Sequence, residues 1–151
     1  MLYQGVSMRN FIIVLASFLA FTVSAKEVEM VEYDWKVTKI VDGDTVKFEA
    51  PWVPDPIKKE MSIRVYGVDT PEKGWRGQCD KEKAAGEAAT KFTKAMIKKG
   101  KSIKIAISDW DKFGGRVLGD VIVDGKSLRR ELIANGHARE YYGEKKQSWC
   151  D

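Results

Sequence analysis

Histidine is almost absent from this chain: its 151 residues contain one, His137. That excludes zinc sites built from several imidazoles and an HExxH helix, and any Ser-His-Asp triad would rest on this single ring. His137 directly follows Gly136, a helix stop, where an imidazole is expected to pack or to face solvent. Long apolar runs are lacking too. The main one, Phe11 to Val23, has 13 residues, against the roughly 20 that a membrane-spanning helix needs. With Arg9 before it and the small-residue site Val23-Ser24-Ala25 after it, the run reads as a secretory signal peptide over residues 1–25, which leaves no stable membrane anchor after cleavage.

Cysteine is limited to Cys79 and Cys150, so the chain can close one internal disulfide, with two free thiols as the alternative. In an exported protein a bridge is expected; it would enclose 72 residues and is valued at up to about 4 kcal/mol by chain entropy. Three of the four prolines fall in PWVPDP, 51–56, which removes that stretch from any central strand. Phosphate and calcium motifs of the loop type are also missing. Gly125-Lys126-Ser127 imitates the end of a P-loop, but Gly119 is one position too far upstream and a Val-Ile-Val strand lies between. Asp42 and Asp44 imitate the start of an EF-hand, yet Val46 occupies its third ligand position.

Removing 25 of 151 residues leaves 126, enough for one core and too few for two, so residues 26–151 are read as a single domain. The net charge falls from +4 to +3 with Arg9, and a pI near 9.0 permits polyanionic partners without singling out nucleic acid. Strand signals come first: 35–41 and 44–50, joined by Asp42-Gly43 as a two-residue hairpin, then 61–68 running into DTPE. From Asp80 to Lys99 the period becomes helical, with Ala85, Ala88, Ala89, Phe92, Met96 and Ile97 as the apolar face, Asp80 as the start and Gly100 as the stop. SIKIAIS and RVLGDVIV are two further strands, and a short helix over 127–135 precedes a polar tail. Three strands, a helix, two strands and a helix predict an α+β fold, a five-stranded OB-type β-barrel with two to three helices; an open α+β sheet is the alternative.

The remaining chemistry lies in carboxylates and arginines. DGDT carries Asp42 and Asp44, RVYGVDTPE carries Arg64, Asp69 and Glu72, and DKFGGR carries Asp111, Lys112 and Arg116. If the second and third strands are neighbours, Asp44 and Asp69 reach one rim. Hard oxygen donors without nitrogen or sulfur suit Ca²⁺ or Mg²⁺, and two close carboxylates call for a cation or an arginine. The residues alone leave two readings open: a metal site, or acids that make turns and pair with Arg64.

At these positions the sequence strongly resembles the staphylococcal nuclease (thermonuclease) family. The similarity runs from Val37 to Ala138 in a consistent order: VTKIVDGDTVKF, IRVYGVDTPE, a lysine-rich helix, DKFGGRVLGDV and LIANGHA. The resemblance implies an OB barrel and one Ca²⁺ held by Asp44, Asp69 and the backbone carbonyl of Thr70, with Asp42 in support. It matches Arg64, Glu72 and Arg116 to the family's three catalytic residues. Lys112, Phe113 and Tyr142 fall where substrate would be bound, although Phe113 replaces a tyrosine and DKFGGR holds an extra glycine before Arg116. Trp75 and Arg76 are further candidates for stacking on a base, with packing of the loop beside Cys79 as the alternative.

The implied activity is hydrolysis of DNA and RNA phosphodiester bonds by in-line attack of water, leaving 3′-phosphate ends, in a secreted or periplasmic monomer. The alternative is a noncatalytic OB module that binds nucleic acid, or a calcium-stabilised exported module with a protein partner. Retention of Arg64, Glu72 and Arg116 together with Asp44 and Asp69 argues for the enzyme.

Overall fold

The structure, a computed structural model, describes residues 28–151. The signal-peptide reading of residues 1–25 lies outside them. Among the described residues no helix is long and apolar enough to cross a membrane.

Alternating apolar and polar residues build the sheet. Its strands are β1 (Val31–Tyr33), β2 (Val37–Ile40), β3 (Thr45–Glu49), β4 (Glu60–Val65), β6 (Ile103–Trp110), β7 (Arg116–Val123) and the short β8 (Lys126–Ser127). A separate two-stranded pair joins β5 (Val68–Asp69) to β9 (Arg139–Glu140). The helices are α1 (Asp80–Lys99) and α2 (Leu128–Ala134), with one 3₁₀ turn at Gly74–Arg76. The fold is therefore α+β, with a mostly antiparallel seven-stranded sheet ordered β1-β6-β7-β4-β3-β2 and β8 paired to β7. Among the described residues only β4 and β7 run parallel. The hydrogen-bonded path ends at β1 on one side and β2 on the other, so among the described residues the ladder does not close into the five-stranded barrel expected from the sequence.

Period-two alternation sends Val46 and Phe48 of β3, Ile63 and Val65 of β4, and Val117, Val121 and Val123 of β7 into one core. Leu128 and Leu132 of α2 and Ile97 of α1 close over it. Each such buried side chain contributes roughly 1.5–3 kcal/mol.

Several expectations change. The Asp42-Gly43 connection is not a two-residue hairpin: Ile40 pairs with Val46, and the amide of Val41 donates to the carbonyl of Thr45, so the turn spans residues 41–44. The 61–68 strand breaks at Tyr66-Gly67, where Gly67 adopts φ +74°, and its last residues join β9 instead. Part of the polar tail is thus a strand. β1, missed in the sequence, pairs with β6 although its three residues are exposed, so burial leaves no mark in its pattern.

The α1 bounds agree with the helical period, but its start is capped by Cys79, whose sulfur accepts from the Glu82 amide; the Asp80 side chain is fully exposed. Ala88 is exposed as well. The buried face consists of Glu82, Gly86, Ala89, Thr90, Thr93 and Ile97, half of it polar, so apolar periodicity misjudged its centre.

Candidate functional site: an arginine and carboxylate cleft

That polar face of α1 fastens the two acid-bearing loops. Thr93 donates its hydroxyl to the Gly43 carbonyl at 2.7 Å, anchoring the 41–44 turn. The Glu82 carboxylate accepts the amides of Glu72 (3.2 Å) and Gln78 (2.7 Å), which ties both ends of the loop after DTPE to the first turn of the helix. Gly86 allows the closest approach, because a Cβ there would lie 2.6 Å from the backbone of Glu72. The disulfide joins Cys79, at the start of α1, to Cys150, with Cα atoms 6.0 Å apart, as the cysteine count suggested.

Arg64, on β4, is paired across the ladder with Thr45 and on its other side with Leu118. Its guanidinium donates to the Asp44 carboxylate at 3.2 Å and to the Val68 carbonyl at 3.4 Å. Arg116 opens β7. The extra glycine of DKFGGR is absorbed by Gly114 and Gly115, both at φ +67°, a left-handed pair that returns the chain into register. Asp111 accepts from Nε of Arg116, which leaves the two terminal amino groups as a fork. Burial disfavours the Asp111 carboxylate, but hydrogen bonds from Arg116 and the Phe113 amide outweigh it and hold its pKa below the ordinary value.

Arg64, Glu72 and Arg116 line one cleft of about 630 Å³, together with Lys112, Phe113 and Tyr142. Six predicted residues therefore share a cavity. Phe113 is largely exposed, with the Lys112 ammonium 5.0 Å from its ring centroid. Tyr142 accepts at its hydroxyl from Arg129 and meets Tyr66 edge-on.

Asp69 and Thr70 do not line that cleft. They open onto an adjoining cavity of about 360 Å³, which Glu72, Arg76 and Lys146 also border. Asp44 is buried behind Arg64 and Thr45, whose hydroxyl it accepts at 3.0 Å. Burial pushes its carboxyl up to about 6; Arg64 opposes the shift and Asp42 adds to it. Among the described residues no three His, Cys, Asp or Glu side chains cluster as a ready metal cage. The donor chemistry nonetheless fits a hard cation. Oδ1 of Asp42 and Oδ1 of Asp69 are buried and accept no hydrogen bond, while Asp44 is ionised at a cost. The Lys146 ammonium lies 2.5 Å from Asp69 Oδ1 as an ion pair outside hydrogen-bond geometry.

Two side chains beside the candidate site make contacts that the sequence did not signal. Arg76, a candidate for stacking on a base, bridges Asp42 (3.5 Å) and Glu72 (3.4 Å). Trp149 donates its indole N–H to Asp69 at 3.1 Å, a contact that only the disulfide beside it hinted at. Trp75 remains 92% exposed, and His137 packs on Phe92 away from the cleft.

The fold and site define an α+β protein with paired arginines and carboxylates gathered at one side of its sheet. Residues 62–149 match the family described as Staphylococcal nuclease homologue, and the chain belongs to that family. It is 30% identical over 116 residues to Endonuclease YhcR of Bacillus subtilis (strain 168), covering 74% of this chain and 9% of that protein. It is 35% identical over 106 residues to Endonuclease YncB of the same organism, covering 69% and 46%. Similarity to the SPbeta prophage-derived endonuclease YokF is 32% over 111 residues, covering 72% and 34%. The chain thus spans less than half the length of these curated relatives.

Proposed function

We propose that this protein is an exported, calcium-dependent endonuclease that hydrolyses phosphodiester bonds of DNA and RNA. The observation that carries the reading is the convergence of Arg64, Glu72 and Arg116 on one cleft. Family membership and relatives named as endonucleases support it. The strand order β2-β3-β4-β7-β6 with its one parallel pair supports a partly open OB barrel as the frame. The disulfide supports export into an oxidising compartment.

Asp44, Asp69 and the Thr70 carbonyl would hold the calcium ion, which when bound offsets phosphate charge as a Lewis acid. Arg64 and Arg116 bind the phosphate oxygens through planar forks, which lysine cannot copy. Asp111 keeps the Arg116 fork aimed by holding its Nε. Glu72 accepts a proton from the attacking water, and Arg76 orients its carboxylate. Negative charge that grows on the phosphate in the transition state is met by both arginines. Cleavage leaving a 3′-phosphate follows from the family resemblance. Lys112, Phe113 and Tyr142 contact the nucleotide beside the scissile bond.

The test is incubation of the protein without residues 1–25 with plasmid DNA and single-stranded RNA, in calcium and in chelator. Calcium-dependent degradation supports the enzyme. Retarded but intact nucleic acid would show a binding module instead.

A further inference from the structure

Asp69 is buried at the end of β5, and both of its carboxylate oxygens face the segment 146–151. Oδ2 accepts from the indole of Trp149, a donor with no acceptor capacity. Oδ1 faces the Lys146 ammonium. The segment is held by two tethers. On one side Arg139, the register partner of Asp69 in β9, stacks its guanidinium 3.8 Å from the Trp149 ring centroid and donates to the Ser148 carbonyl at 2.7 Å. On the other, Cys150 is bonded to Cys79 at the start of α1, the helix whose Glu82 also accepts the Glu72 amide at the end of DTPE.

We propose that residues 146–151 form a disulfide-tethered strap that positions Asp69 for a divalent cation, with Trp149 as the positioning residue and Lys146 as a resident counter-cation. The inference rests on the reading of Asp69 as a cation ligand. By occupying Oδ2, Trp149 fixes the carboxylate plane and leaves Oδ1 as the oxygen offered to the cation. A group that orients a ligating carboxylate in this way is commonly worth about 10–100-fold in metal affinity. Lys146 acts in the opposite sense. An ammonium and a divalent ion held at one oxygen repel each other, so Lys146 opposes ion binding, and its side chain, 48% exposed, can swing into solvent to relieve the repulsion. The two contacts to one carboxylate therefore predict shifts of opposite sign, which a general loss of packing does not produce.

Calcium titration calorimetry without substrate tests this on the disulfide-bonded protein. Trp149→Phe and Cys150→Ser are expected to weaken calcium binding by about 10-fold or more. Lys146→Met is expected to tighten it by about 5-fold, the scale of one part-exposed ion pair, and Lys146→Arg to stay near the wild type. Absence of calcium binding by the wild type would overturn the calcium reading and this proposal together. Binding that is lost in Asp69→Asn but unchanged in Trp149→Phe and Lys146→Met, or shifted in the same direction in both, would overturn the strap alone.

Discussion

Thr93, wholly buried in the middle of α1, donates its hydroxyl to the carbonyl of Gly43 at 2.7 Å, across a separation of 50 residues. One side chain of a helix thereby sets the height of the turn that carries Asp42 and Asp44. Thr93→Val keeps the shape and removes the donor, leaving a buried carbonyl unpaired. We expect a loss of about 1–3 kcal/mol in chemical denaturation, with Thr93→Ser recovering much of it.

Gly86 stands where α1 meets the DTPE loop. A methyl group there would lie 2.6 Å from the Glu72 backbone, so Gly86→Ala must push either the helix or the loop away. The gain in helix propensity, roughly 1 kcal/mol, is smaller than the cost expected of overpacking at backbone, about 1–3 kcal/mol. Thermal unfolding should show a lower Tm, and the rate of nucleic-acid cleavage should fall with it.

Arg76 touches both Asp42 and Glu72. Removing it by Arg76→Ala frees the Glu72 carboxylate, the group proposed to accept the proton from water. The expected result is a drop in kcat of about 10-fold with little change in KM, a split that separates orientation of Glu72 from loss of substrate binding.

Glu60, at the start of β4, accepts from Thr38 at 2.6 Å, and Lys58 and Lys47 pair with it at 3.0 and 3.1 Å. Hydrogen bonds from Thr38, Lys58 and Lys47 lower its carboxyl from 4.5 to about 2. Because the folded value is depressed, the stabilisation is present above pH 4.5 and is lost as pH falls toward 2. Glu60→Gln should therefore have a lower Tm than the wild type at pH 7, and the gap should close between pH 4.5 and 2. A gap that is constant across that range would mean the ion pairs contribute nothing.

The strands were legible where one face is buried. Val46 and Phe48, or Val117, Val121 and Val123, alternate because the pleat sends every second side chain inward. β1 and β9 were not legible: they are two or three residues long and held by pairing to β6 and β5, which leaves no hydrophobic period. The face of α1 was misread for a related reason. Its inward residues include Glu82, Thr90 and Thr93, buried because Glu82 and Thr93 serve the loops while Thr90 bonds back to the Gly86 carbonyl, so polarity concealed their burial. At the site, DGDT, DTPE and DKFGGR drew attention to Arg64, Glu72 and Arg116, which share a cleft. Lys146 and Trp149 reach Asp69 because the β5–β9 pairing, the Arg139 contacts and the disulfide together fold residues 77 to 80 positions away back onto it, and no local pattern encodes that approach.

The account turns on Glu72 and Arg116 acting together in one cleft. The most direct measurement is the initial rate of plasmid cleavage in calcium by the wild type, Glu72→Gln and Arg116→Ala, with circular dichroism confirming that each remains folded. The account predicts that each substitution lowers the rate by at least about 10²-fold, the scale of one lost transition-state contact. Folded variants that cleave at near the wild-type rate would contradict it.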